Sequence, residues 1–148
     1  MATRTIEQEI DVAATPEQAW DVLTGDLTYR KWTAEFAEGS YARTDWREGS
    51  TVRFLGPDGT GLVGRVVTSR RPELLDVEYT GVVGGGVDDV ESEQARLWAG
   101  THETYRLTDV SGATHVAISA PMEDAYYDDM VQAWVRALAT VKELAEAR

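Results

Sequence analysis

The chain contains no cysteine, which excludes disulfides, thiolate nucleophiles and cysteine metal ligands. It has two histidines, His102 and His115, at a spacing that matches no metal signature. A metal centre would have to recruit carboxylates, and neither a metal nor another cofactor is expected. Basic residues are scarce: 14 Lys and Arg stand against 26 Asp and Glu, a net charge of -12. A surface of that sign repels phosphate backbones and anionic lipid, so nucleic acid and membrane are not expected partners. No apolar run approaches the roughly 20 residues of a membrane-spanning helix. The opening Met1-Ala2-Thr3-Arg4 lacks the apolar core of a signal peptide, so the cytoplasm is the expected address. There is no G-x-S-x-G nucleophile elbow either.

What is present suits a folded protein. At 148 residues, 43% hydrophobic and 27% charged, the chain is expected to form a single domain over 1–148 with one substantial core. Ile6, Ile10 and Val12 fall at even positions among polar neighbours, as in a half-buried strand. Thr15-Pro16-Glu17-Gln18 then places a capping threonine before a proline, with Gln18 positioned for a capping box. The helix it opens should run to about Leu23, with Ala19, Trp20 and Leu23 on one side and Gly25 at its end. A second short helix over about 26–32 shows Leu27, Arg30 and Lys31 in turn-like spacing.

The middle of the chain reads as consecutive strands separated by Gly- and Pro-containing turns, an antiparallel meander. Expected strands cover about 40–46, 51–55, 62–69, 75–83, 98–108 and 114–120. Between the strand ending near Val83 and the one starting near Trp98 lies an acidic segment, Gly84 to Gln94, read as a solvated connection or a loop over a pocket. From about Asp124, Tyr127, Met130, Val131, Trp134, Leu138, Val141 and Ala145 recur at mostly three- and four-residue steps. They predict a helix of about 30 Å, acidic in its first turn and closed by Arg148, as the helix dipole prefers.

Gly59-Thr60-Gly61-Leu62-Val63-Gly64 matches the dinucleotide pattern G-x-G-x-x-G. That pattern binds a pyrophosphate only where it carries a strand into a helix. The valine-rich run after it predicts a strand, so the glycines are read as a hairpin turn.

Several of these segments resemble a known superfamily. Thr15-Pro16-Glu17-Gln18-Ala19-Trp20-Asp21-Val22-Leu23-Thr24 is similar to the opening helix of polyketide cyclase and START-like proteins. Trp32, with Trp46-Arg47-Glu48-Gly49-Ser50 after it, resembles their paired tryptophan and W-x-x-G turn. Gly64-Arg65-Val66-Val67 with Arg71-Pro72-Glu73-Leu74-Leu75 resembles their strand, proline turn and strand. Glu103-Thr104-Tyr105-Arg106-Leu107 with Thr114-His115-Val116-Ala117-Ile118 resembles their last hairpin. The chain is thus identified as a member of the START-like (SRPBCC) superfamily, most similar to homologues of the activator of the heat-shock-protein-90 ATPase. The resemblance implies an α+β helix-grip fold, a curved antiparallel sheet wrapped around a long C-terminal helix with two short helices after the first strand.

It also implies that Tyr105 and Leu107 face that helix, and strand alternation then turns Glu103 inward and His102 and His115 outward. An inward Glu103 among aromatics, with no cation near, has its pKa raised and could act as a general acid or base or hold a polar ligand group. The plainer reading sets it near the pocket rim, wet or paired with an arginine. Most of the aromatic residues must be core, yet a sheet curled round one helix leaves space at its open end. The expected lining is Trp32, Phe36, Phe54, Tyr79, Glu103, Tyr105, Met130 and Trp134. The function expected first is binding of a small apolar or aromatic molecule in a cavity of several hundred cubic ångströms. The alternatives are a cyclase- or hydrolase-like enzyme using Glu103, and a chaperone-associated protein. Self-association as a homodimer is left open.

Overall fold

Two-residue alternation in the strands and three- to four-residue recurrence in the last helix resolve into a curled antiparallel sheet that grips that helix. The computed structural model describes residues 2–147. Met1 and Arg148, the latter expected to close the terminal helix, lie outside them. In order, the elements are β1 (Thr3–Val12), α1 (Pro16–Thr24), α2 (Asp26–Thr33), β2 (Tyr41–Arg43), β3 (Thr51–Leu55), β4 (Gly61–Arg70), β5 (Leu74–Gly84) and β6 (Val87–Asp89). They continue with α3 (Glu93–Trp98), β7 (His102–Val110), β8 (Ala113–Glu123), a 3-10 turn (Asp124–Tyr126) and α4 (Tyr127–Glu146). The strand order is β1-β8-β7-β5-β4-β3-β2, with β6 paired to β5, and every pairing is antiparallel. This is the helix-grip fold that the resemblance implied.

The caps form as the sequence predicts. The Thr15 hydroxyl accepts from the Gln18 amide at 3.2 Å, and the Gln18 side chain accepts from the Thr15 amide at 3.0 Å. Ala19, Trp20 and Leu23 are buried on one side of α1, and Gly25 ends it. Helix α2 forms where the spacing predicts it, but Leu27, Arg30 and Lys31 do not mark its buried face. Leu27 is 77% exposed, while Tyr29, Trp32 and Thr33 turn inward. These three stand at i, i+3 and i+4, the spacing that builds one helix face, and two of them are aromatic.

The sheet curls where the β4–β5 ladder is interrupted, between Val63 and Gly64 and between Val66 and Thr68. Such irregularities bend a strand and sharpen its twist. Gly64 sits at the first break, opposite Tyr79, where an added Cβ would meet the Glu78 carbonyl oxygen at 2.4 Å. The G-x-G-x-x-G stretch is the β3–β4 hairpin. Gly59 donates to the Gly56 carbonyl at 2.9 Å, and the chain then enters a strand rather than a helix.

Other expectations are corrected. The strand proposed over 40–46 covers only Tyr41–Arg43, because Trp46 takes a left-handed backbone at φ 60°, which cannot continue a strand. Its indole N–H instead donates to the Thr24 carbonyl at 2.9 Å, pinning the end of α1. The acidic segment forms structure of its own. Gly85 and Gly86 both adopt positive φ in a two-residue turn that pairs Gly84 with Val87, a tight hairpin open to glycine. Arg53 on β3 grips Asp88 through two hydrogen bonds of 2.9 and 2.7 Å. Ser92 then caps α3, so Trp98 ends a helix instead of opening a strand.

Helix α4 lies along β1. At one end the Asp124 amide reaches the Ala2 carbonyl at 3.3 Å. At the other, Glu146 accepts from the Ala13 amide at 2.8 Å and Lys142 donates to the Asp11 carbonyl at 3.0 Å. Trp134, Leu138, Val141 and Ala145 are buried beneath it. Among the described residues no helix is long and apolar enough to cross a membrane.

Candidate functional site

Strand β7 supplies the centre of the site. Glu103, Tyr105 and Leu107 alternate inward, and His102 and His115 point outward to partners on the outer face of the sheet. His102 Nδ1 lies 2.8 Å from Asp76 Oδ1 and His115 Nδ1 lies 2.7 Å from Asp11 Oδ1. The neighbouring carboxylates Asp11 and Glu9 hold the His115 pKa above its ordinary value.

Glu103 is 9% exposed and follows the first of the two readings, inward among aromatics with no cation beside it. It is neither wet at a rim nor paired with an arginine. The Tyr79 hydroxyl donates to Oε1 at 2.6 Å, and the Tyr105 hydroxyl donates to Oε2. The register explains both contacts. Tyr105 is two residues along the same strand and so shares the face of Glu103. Val77 pairs with Glu103, which makes Tyr79 a diagonal cross-strand neighbour on that face. Burial raises the Glu103 pKa, and the two phenol hydrogen bonds only partly oppose the rise. Burial and the nearby carboxylate push Tyr79, Tyr105 and Tyr29 well above the usual tyrosine value.

Around this triad lies a pocket of about 220 Å³ between the sheet and the first half of α4. All eight residues expected at the lining are there: Trp32 and Phe36 beside α2, Phe54 on β3, Tyr79 on β5, Glu103 and Tyr105 on β7, Met130 and Trp134 on α4. The volume is smaller than expected, because the rings converge. Phe36 meets Trp134 edge to face at 4.8 Å between centroids, and Trp32 meets Tyr29 at 5.0 Å. For scale, a cavity of about 150 Å³ holds benzene.

Tyr29 is the main residue that sequence reasoning missed. It lines the pocket, stacks near Phe54 at 6.3 Å and stands three residues before Trp32, a spacing that could have revealed it. Tyr41, Ala120 and Met122 also join the wall. Trp98, at the end of α3, braces Tyr79 edge to face at 6.0 Å. Helix α3 therefore supports a pocket ring from outside the lining. The indole N–H of Trp32, a residue 1% exposed, is buried without a hydrogen-bond partner. Among the described residues no cluster of three or more His, Asp or Glu side chains is placed to hold a metal.

Comparison with known proteins agrees with this architecture. The family model described as activator of Hsp90 ATPase homolog 1-like protein matches residues 13–146. Among curated proteins no sequence matches the chain. Of solved structures, the protein MLL2253 from Mesorhizobium loti superposes with a TM-score of 0.73 at 15% identity, covering 97% of this chain and 98% of that one. The Aha1 dimer from Colwellia psychrerythraea gives 0.68 at 18% identity, covering 97% and 96%. DynU16, a protein from the dynemicin biosynthetic locus, gives 0.65 at 13% identity, covering 96% of this chain and 47% of its own. At these identities the likeness is one of fold.

Proposed function

We propose, from the premise that this chain belongs to the activator of Hsp90 ATPase homolog 1-like family, that it binds a small aromatic or apolar molecule between the sheet and α4. Proteins of this fold generally bind hydrophobic ligands. The observation that carries the reading is the pocket of about 220 Å³ walled by aromatic rings, with one carboxylate at its polar side. Rings supply apolar area at little conformational cost, and a few convergent polar groups set orientation. A neighbour of the same fold comes from the dynemicin biosynthetic locus, which is compatible with a small-molecule ligand.

Mass spectrometry of small molecules that copurify with the native protein is the direct test, with a bound aromatic species expected. A second test uses 2-naphthol as probe, read by tryptophan fluorescence, and compares the native chain with Ala120→Leu. Ala120 lines the pocket and is buried. Its enlargement should cost about 1–3 kcal/mol of stability and abolish probe binding while the circular dichroism spectrum is kept. Equal binding by a folded variant overturns the site.

A second reading has its own observation. Glu103 combines a raised pKa with two tyrosine hydroxyls facing the same space, a pairing suited to proton transfer. An enzyme of the cyclase or hydrolase kind would lose turnover in Glu103→Gln while still binding substrate. Self-association, suggested by the dimeric relative, is checked by light scattering.

A further inference from the structure

We propose that the pocket selects a small aromatic molecule carrying a positive charge, a protonated or quaternary amine, with Glu103 as its counter-charge. The inference rests on the pocket reading above and adds the chemical class of the ligand.

It starts from the directions of the hydrogen bonds. Tyr79 and Tyr105 each have one hydroxyl proton, and both protons are given to Glu103. What remains exposed by this triad is acceptor only: the unused lone pairs of the carboxylate and of the two phenol oxygens. Thr33, also at the wall, donates its hydroxyl proton to the Tyr29 carbonyl at 2.6 Å. A ligand group that meets the triad must therefore bring its own protons or charge.

The charge balance points the same way. Among the lining residues there is no lysine, arginine or histidine, and Glu103 is the single carboxylate. A buried carboxylate held by two neutral donors remains an uncompensated charge, which is costly unless it takes up a proton or a cation arrives. The walls suit that cation. Tyr29, Trp32, Phe54 and Trp134 present ring faces and edges around the same space, and the negative face of an aromatic ring attracts ammonium groups. The net charge of -12 draws cations toward the molecule from a distance.

Some donors at the wall face the other way, the Tyr29 and Tyr41 hydroxyls among them. The Trp32 indole N–H lacks a partner and could attract an anionic ligand. Trp32, however, packs on Tyr105 at 6.3 Å between centroids, and Tyr105 is bonded to Glu103. An anion there would lie close to a like charge, so this N–H better serves a neutral acceptor atom of the same ligand. The groups facing Glu103 from α2, β5 and β7 are Tyr29, Tyr79 and Tyr105, and no ionisable side chain lines the pocket from α4. Because burial raises the Glu103 pKa, acidification should neutralise the counter-charge above the ordinary glutamate range and weaken cation binding there.

The test compares 2-phenylethylamine, 2-phenylethanol and phenylacetate, which share a ring and differ in charge. Binding to the full chain is followed by tryptophan fluorescence and by ligand-observed NMR. The amine should bind about tenfold more tightly than the alcohol, phenylacetate should bind most weakly, and the amine's advantage should vanish on acidification. Glu103→Gln should bring the amine-to-alcohol ratio close to one. Should that variant fail to fold, the ratio in the native chain and its pH dependence still decide. An alcohol that binds as tightly as the amine overturns charge selection and leaves the pocket reading intact. Absence of binding by all three overturns both, and amine binding unaffected by Ala120→Leu places the amine elsewhere and overturns the inference.

Discussion

The two halves of the space beneath α4 are filled in different ways. Toward the C-terminal end of the helix, Leu138, Val141 and Ala145 are joined by residues such as Val12, Val22 and Val116, all at most 2% exposed. Toward its N-terminal end, Met130 and Trp134 face Trp32, Phe36, Phe54, Tyr79 and Tyr105, and the pocket opens among them. Branched aliphatic side chains interdigitate to crystal-like density. Flat rings that meet edge to face, as Phe36 and Trp134 do at 65°, brace one another and can leave a gap. One helix on one sheet thus has a solid end that holds the fold and a hollow end that holds the candidate site.

Paired truncations give the strongest test of that contrast. Leu138→Ala should cost about 2–5 kcal/mol in urea denaturation and leave the affinity for 2-naphthol within twofold. Phe36→Ala, at a half-buried ring already facing open space, should cost less than Leu138→Ala yet reduce probe affinity severalfold. Equal losses of stability and binding in both variants would erase the distinction.

A somewhat smaller effect is expected at Gly64. A Cβ there collides with the Glu78 carbonyl oxygen, which is backbone and cannot swing away. Gly64→Ala should cost on the order of 2 kcal/mol and, by displacing Tyr79 across the ladder, weaken probe binding as well. An effect on stability alone would show that the curl and the pocket are independent.

The smallest effect concerns pH. Glu103 has a folded pKa above its unfolded value, so the native state holds the proton more tightly. Its contribution to stability is complete below the unfolded value, about 4.3, and is lost as pH rises through the folded one. Thermal melts of the native chain should show this decline as pH rises above the ordinary glutamate range, and Glu103→Gln should not. A coincident pH profile for the two proteins would mean that the carboxyl is solvated. Among the described residues the aliphatic end buries no such titrating group, so its truncations should leave the profile unchanged.

Much of this was legible in local pattern. Alternation in β7 turns Glu103 inward once Tyr105 and Leu107 face the helix, and all eight expected residues line one pocket. Tyr29 escaped because Leu27, Arg30 and Lys31 offered a competing periodicity in a helix of only eight residues. The Gly85–Gly86 turn was visible as a glycine run, but its acidic surroundings read as solvated chain. The tight hairpin depends on pairing with β5, and α3 depends on the Ser92 cap and on Trp98 finding Tyr79.

The amino-acid sequence by itself determined which faces of the strands and of α4 are apolar, where helix α1 is capped, and that no cysteine or basic cluster enters the chemistry. Those properties follow from side-chain period and composition, which neighbouring residues set. The tertiary structure alone decided that Tyr79 and Tyr105 spend their protons on Glu103 and that the surrounding rings leave about 220 Å³ open. Hydrogen-bond direction and residual volume depend on strand register and ring orientation between residues far apart in the chain, and these are set only when the sheet closes around the helix.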